Sequence, residues 1–534
     1  MKIRRVEIRN FRSFPVFDLE VNGESLFVIG ENGGGKSTLL TAIARALGRD
    51  LNFTRADFAD PAVPVELRVF LTDLDVNQQG VFAGYANFGA GGPTLTMETR
   101  SVWDASSEGS ETEHTYPTHA GSRSKRDERD SIPLQWLPAN RDAGRMLDMG
   151  IPNNLMGRLL DTLPLNASLG TAITEIQAAG NRLAADPALG QILEDARGDL
   201  ESLVPDVQPD AFTFGVAAVT PRELLRQLEL VVKHLGEPVA VERQSSGIAQ
   251  LAVFVFAIML ARRDPGRIML IDEPEISLHP QAQRSLIRAL SALNSQMIVA
   301  THSPSLLDRA DPRKIVRLAR VAGAVGVARS PALTDQEARR LARFTTPQAA
   351  EAFFAQTIIL VEGISDVIVI EALADRLGRN LDAAGIAVVP VGGARTFEVY
   401  HQLFGPRGLQ IRLAGLCDEA EEVHVERALA RDGHPAYLSR MDRERLGFFT
   451  CVADLEDELL RALGDAAVDA LIAGQGDGPA FATYQAQLSN RAQSLHDQLL
   501  GYLHSHKIEY APVLADAVPI ASIPSVLQGL ISHV

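Results

Sequence analysis

One stretch constrains the fold of this chain more than any other. Leu26-Phe-Val-Ile-Gly30 is an apolar run, Glu31-Asn32-Gly33-Gly34-Gly35 is a glycine-rich turn, and Ser37–Leu47 is a helical stretch closed by Gly48. A short apolar run that ends in such a turn reads as a strand buried on both faces, which belongs to a layered α/β sheet. The glycines let backbone N–H groups wrap an anion, and the helix N-terminus adds its positive end. Gly30 to Ser37 fits the pattern GxxxxGK[ST], and the strand–turn–helix setting is what gives that pattern its meaning. The expected ligand is ATP. Lys36 is placed to reach the β- and γ-phosphates and the Ser37 hydroxyl to hold Mg2+, with Gly30, Asn32, Gly33, Gly35 and Thr38 completing the cradle.

A second segment supplies what such a cradle needs. Ile268-Met-Leu-Ile-Asp272-Glu273 buries four apolar residues and delivers two carboxylates at a strand's C-terminal end, where ligands of open α/β sheets sit. Asp272 is expected to hold Mg2+ and Glu273 to act as general base on the attacking water. Three further pieces follow the same order: Gln244-Ser245-Ser246-Gly247 before an apolar helix, Pro274-Glu275-Ile-Ser277-Leu-His279-Pro280 directly after Glu273, and His302 just past the next strand. Together they resemble the ATP-binding-cassette ATPases of the DNA-repair type, relatives of RecF and of the structural-maintenance-of-chromosomes proteins. The resemblance implies that Ser245 and Gly247 contact the γ-phosphate held by another subunit, that His302 contacts it within its own, and that ATP joins two subunits. The signature departs from the usual Leu-Ser-Gly-Gly-Gln.

The C-terminal third opens on Ile358-Ile-Leu-Val-Glu362-Gly363-Ile-Ser-Asp366, a strand ending in Glu, a turn, and a helix carrying Asp four residues on. This resembles the start of a Toprim domain. A cassette ATPase followed by Toprim is similar to the OLD (overcoming lysogenisation defect) nucleases. Phosphodiester cleavage uses hard divalent ions held by carboxylate oxygens, and Glu362, Asp366 and Asp418 can converge at one sheet edge. The family often has Asp-x-Asp at the last of these; here Asp418-Glu419-Ala420-Glu421 puts Ala420 at the second Asp, with Glu421 as a substitute. Asp454 and Glu456 resemble the late acidic motif of the second metal site, although acidic residues at a helix start are also favoured by its dipole. Lys507 lies where the resemblance places a lysine on the scissile phosphate; a surface lysine is the plain alternative. His504 and His506 read as extra ligands or as ordinary surface histidines.

The expected architecture is therefore α/β: an ABC-type P-loop ATPase domain split over 1–144 and 211–320, a helical insertion at 145–210 that is a candidate dimerisation arm, a linker at 321–350, and a Toprim domain with a Rossmann-like parallel sheet at 351–534. Residues 104–131 read as a surface loop or hairpin tip. Composition narrows the function class. The net charge is −16, of which −12 falls in residues 346–534, so bulk-charge binding of nucleic acid is excluded while a local basic groove is not. Cys417 and Cys451 form no disulfide framework or metal motif. The apolar run Ile248–Ala261 is broken by Gln250 and short for a membrane span. The expectation is a cytoplasmic ATPase and Mg2+- or Mn2+-dependent endonuclease acting on double-stranded DNA in anti-phage defence or DNA repair. Its expected partners are further copies of itself (a homodimer or higher homo-oligomer) and a defence-system protein, with no membrane. The alternative is an ATP-gated DNA-binding clamp or sensor whose Toprim domain does not cut. A transporter subunit has no use for the Toprim unit, and no tyrosine can be placed as a topoisomerase nucleophile.

Overall fold

The computed structural model describes residues 1–49, 52–119, 122–192, 194, 220–233, 238–308, 310–321, 324–344 and 347–534. Residues 195–210 of the expected insertion, and the strand and helix signals expected from 212 to 219, lie outside the described residues. The chain divides into two compact units: Met1–Ile132 with Leu270–Glu275 and Gln296–Val534, and Pro133–Met269 with Ile276–Ser295.

The first unit holds three sheets. An antiparallel sheet is built around Lys2–Phe11, which pairs with Phe14–Glu20 and Val65–Thr72. Its alternating pattern buries Ile3, Val6 and Ile8 and turns the charged residues between them outward. Gly92–Asp104 extends this sheet and pairs with Gly109–Thr115. The stretch 104–131 is thus largely built of regular structure: it holds that second hairpin strand and a short helix, Arg126–Asp130.

The second sheet runs Ala324–Arg329, Ile315–Val321, Leu26–Gly30, Gln296–Ala300 and then the strand that ends at Asp272. Leu26–Gly30 is parallel to both neighbours, and every residue of it and of Gln296–Ala300 is buried. Full burial of each Leu or Ile there contributes about 1.5–3 kcal/mol, which is why these strands are apolar without alternation. Ala324–Arg329 adds an antiparallel edge, and Asp335–Phe344 and Pro347–Glu351 are helices. The described residues of the linker expected at 321–350 thus include a strand that continues the second sheet and two helices.

The third sheet is wholly parallel, in the order Ile386–Pro390, Thr357–Val361, Arg412–Asp418, Phe448–Cys451. Helices Ile364–Arg376, Ala394–Phe404, Glu422–Arg431 and Leu455–Leu463 alternate with its strands. Beyond Leu463 the described chain is helical, and Leu503, Leu514 and Leu527 pack onto the same core as Ile370, Leu373 and Leu459.

In the second unit, helices Ala143–Leu147, Leu155–Asp161 and Asn166–Ala184 follow the strand Leu134–Leu137. Leu159 is buried, whereas Asn166–Ala184 buries no residue. The apolar helix spans Ser246–Arg263, longer than the uninterrupted apolar run, so its length and composition would suffice for a membrane span. It instead buries Val253, Phe254, Ala257 and Leu260, and its Gln250 exchanges hydrogen bonds with Arg141 at 2.7 and 3.0 Å.

Candidate nucleotide and acidic sites

The P-loop lies between Leu26–Gly30 and the helix Lys36–Ala46. Gly35 has φ +96°, and a Cβ there would stand 2.8 Å from the Phe14 ring, so the turn needs glycine twice over. Lys36 is buried and its Nζ donates to the Gly30 and Glu31 carbonyls, both at 2.9 Å. Burial lowers its ammonium to about 8, against the pull of Glu273 and Asp272. Ser37 Oγ donates to Asp272 Oδ1 at 3.0 Å, a hydroxyl and a carboxylate spaced as neighbouring ligands of one Mg2+. Glu273 follows at φ +46°, a left-handed conformation rare outside glycine, fixed by its N–H bond to Ala300 O at 2.8 Å.

His302 is held by a residue that the motif reading leaves without a role. Glu275 accepts the backbone N–H of His302 at 2.6 Å and the Thr301 hydroxyl at 2.9 Å. Burial raises the Glu275 carboxyl, as does Glu273. The His302 imidazole is shifted down by burial and by Lys36, so the neutral ring is favoured as a hydrogen-bond partner. The ring lies 6.2 Å from that of Phe354, their planes 29° apart. Ser245 and Gly247 belong to the second unit, where they form the N-terminus of the helix Ser246–Arg263. A Cβ on Gly247 would stand 2.9 Å from the Ser277 carbonyl, so glycine is what lets the signature approach the segment after Glu275.

The acidic site gathers at the carboxyl ends of the parallel strands. Glu362 follows Thr357–Val361, Asp418 ends Arg412–Asp418, and Asp454 lies three residues past Cys451. Asp366 is buried in the first turn of its helix and accepts the Gly363 N–H at 2.9 Å. Burial raises its carboxyl to about 6, with Glu456 and Glu362 adding to the shift and Lys507 opposing it. Asp418 is pushed up to about 8 by burial and then by Glu362, Asp366, Asp454 and Glu421. Mutual repulsion of this kind is relieved by a bound cation. Glu421 lines a small cavity with Glu362, Cys417 and His424. Ala420 is exposed on the 3-10 turn Glu419–Glu421.

Glu456 is buried, and Lys507 Nζ lies 3.1 Å from its Oε2. Burial pulls the Lys507 ammonium down, but Glu456, Asp454 and Glu362 outweigh it, so it stays charged. His504 and His506 sit on a helix–helix junction rather than a loop. His504 Nε2 is 2.8 Å from Asp454 Oδ2, whereas His506 Nδ1 turns back to the Tyr502 carbonyl at 2.9 Å.

Comparison with known proteins shows what the chain is similar to. Residues 1–79 match the AAA ATPase domain, and residues 107–308 match the AAA domain described as putative AbiEii toxin, Type IV TA system. Residues 353–419 match the TOPRIM domain described as overcoming lysogenization defect protein-like. The OLD nuclease of Thermus scotoductus is 26% identical over 423 residues, covering 74% of this chain and 78% of the relative. The chain is thus similar to the OLD nucleases, with matches to AAA ATPase domains and an OLD-like TOPRIM domain. The Old nuclease of Escherichia phage P2 is 27% identical over 164 residues, 28% of each chain. The C-terminal region of the Xanthomonas campestris OLD protein covers 34% of this chain and 93% of its own length, at 28% identity and a TM-score of 0.29.

Two features of these sites escape a motif reading. Glu275 carries no signal beyond its place after Glu273, because its role arises from the packing of two strand ends. His504 lies 50 residues from Asp454, and only its alternation with His506 marks it in the sequence.

Proposed function

We propose that the protein binds and hydrolyses ATP and cleaves double-stranded DNA as a divalent-metal-dependent endonuclease of the OLD type. The observation that supports this best is the gathering of Glu362, Asp366, Asp418, Asp454, Glu456 and Lys507 about one sheet edge, with Asp418 pushed up to about 8 by burial and its carboxylate neighbours. An all-oxygen donor set of this kind fits Mg2+ or Mn2+. When bound, such ions supply an activated water and charge neutralisation at the leaving oxygen. Glu362, Asp366, Asp418 and Glu421 would hold metal on one side of the edge, and Asp454 and Glu456 on the other. Lys507 would leave Glu456 to meet the negative charge of the scissile phosphate.

At the nucleotide site, Gly30, Asn32, Gly33, Gly35, Lys36 and Thr38 would cradle the phosphates, with Ser37 and Asp272 holding Mg2+. Glu273 would take the proton of the attacking water, and His302, oriented by Glu275, would donate to the γ-phosphate. Ser245 and Gly247 acting on a second subunit's nucleotide make a homodimer or higher oligomer the working form. The proposed domains are 1–144 with 211–320 for the ATPase and 351–534 for Toprim. A cytoplasmic role in phage defence or DNA repair, with a partner protein, fits this pairing of activities.

The test is incubation of the purified chain with supercoiled plasmid and Mg2+ or Mn2+. We expect nicked or linear product from wild type and none from Glu362→Ala. Absence of cutting under every nucleotide condition would overturn the nuclease reading. Ala420, which offers no donor where a second Asp is expected, favours a second reading, an ATP-gated DNA clamp. That reading predicts DNA retention that follows the nucleotide state without cleavage.

A further inference from the structure

The missing donor at Ala420 has a counterpart elsewhere in the fold. Asp454 caps the helix Leu455–Leu463, its Oδ1 accepting the Asp457 N–H at 2.8 Å. Its other oxygen, Oδ2, lies 2.8 Å from His504 Nε2. One ligand atom each from Asp454, Glu456 and His504 falls within 4.8 Å of the others. For an ion bonded at about 2.1 Å in octahedral geometry, adjacent donors stand about 3 Å apart and opposite ones about 4.2 Å. Asp454 and His504 already have the spacing of adjacent ligands, and Glu456, within 4.8 Å of both, has to draw closer for the three to share one ion.

The surrounding structure holds His504 there. Leu499, Tyr502 and Leu503 are buried and anchor the helix Leu495–Ser505. His506 is drawn back onto its own helix, its ring stacked on Tyr502 at 4.3 Å between centroids. The chain turns at this junction and starts the next helix at Lys507, whose ammonium sits beside Glu456 as an internal cation. Glu421, the substitute expected from sequence, lines the cavity with Glu362 and is not one of these three.

We propose that His504 is a metal ligand that completes, with Asp454 and Glu456, the divalent-cation site in which Ala420 leaves a gap. This rests on the nuclease reading for its purpose, though not for its chemistry. An imidazole among carboxylates shifts preference from Mg2+, which favours oxygen donors, toward Mn2+ and later transition ions.

The experiment loads the full chain with Mn2+ and reads nitrogen hyperfine coupling by pulsed electron paramagnetic resonance, alongside Mn2+ titration and plasmid cleavage. Wild type is expected to show histidine-nitrogen coupling. His504→Gln is expected to lose it and to bind that ion roughly 10–100-fold more weakly, the effect typical of a lost metal-site contact, with an unchanged melting temperature in chelator. Coupling that persists in His504→Gln, or none in wild type, would show that His504 only pairs with Asp454 and would overturn the proposal. If wild type shows the coupling but never cuts DNA, the nuclease reading fails and the metal ligand stands. If wild type cuts and His504→Gln keeps both coupling and affinity, the reverse holds.

Discussion

At the residue scale, the two sites are built from groups moved away from their ordinary ionisation. In the proposed ATP site Lys36 serves as a cation against phosphate, so Lys36→Ala should abolish nucleotide binding in a titration with a fluorescent ATP analogue. Glu273→Gln should still bind ATP but lose hydrolysis by roughly 10²–10⁴-fold, the range for a removed general base; near-normal turnover would exclude the assignment. A titrating group outside both sites is His114, buried, with its Nδ1 2.7 Å from Thr99 Oγ1. Burial, helped by Arg129, lowers its imidazole to about 4. Between about pH 6.5 and 4 the unfolded chain takes up a proton that the folded chain refuses, so stability falls as pH drops through that window. The lost stability is up to about 3 kcal/mol. Chemical denaturation at several pH values should show a shallower acid slope for His114→Gln than for wild type.

At the element scale, the nucleotide site was legible because its geometry is local. A strand, a glycine turn and a helix N-terminus follow one another in the chain, so their order alone assembles the phosphate cradle. The turn also relies on a contact from outside, since Phe14 of the neighbouring sheet fills the space a Cβ on Gly35 would take. Gly35→Ala should therefore cost about 1–2 kcal/mol in left-handed strain alone and weaken ATP binding more than it lowers the melting temperature. The Toprim carboxylates were legible for a related reason: parallel strands bring their carboxyl ends to one edge, so a Glu or Asp just after an apolar run falls there. Legibility ended where donors come from helices packed late in the chain. His504 reaches Asp454 only because the helices after Leu463 fold back onto the sheet. The strand 109–115, legible only as part of a loop or hairpin tip, and the strand 324–329 were hard to read because polar edge strands carry weak periodicity.

At the scale of the whole molecule, the first compact unit contains both the P-loop and the Toprim sheet, and specific contacts join them. His302 faces Phe354, three residues before the strand Thr357–Val361 that leads to Glu362. Arg317, buried on the ATPase strand Ile315–Val321, donates to the Gln410 carbonyl at 3.0 Å, just ahead of the strand that ends in Asp418. A shift of His302 with nucleotide state would press on the Toprim entry. Phe354→Ala should leave ATP hydrolysis within about 3-fold of wild type, well short of the loss from removing a catalytic group. It should also reduce the effect of ATP on plasmid cleavage; an unaltered nucleotide effect would exclude this route. The sequence by itself determined the α/β class, the glycine turn between its strand and helix, and the placing of most of the carboxylates at strand ends, because each is written in a short run whose backbone conformation follows from local sterics and burial. Only the tertiary structure decided that Glu275 holds the backbone N–H of His302, that His504 joins Asp454 and Glu456, and that Phe354 and Arg317 tie one sheet to the other. Those contacts link residues tens to hundreds of positions apart, and what brings them together is the packing of a shared core, which no local pattern encodes.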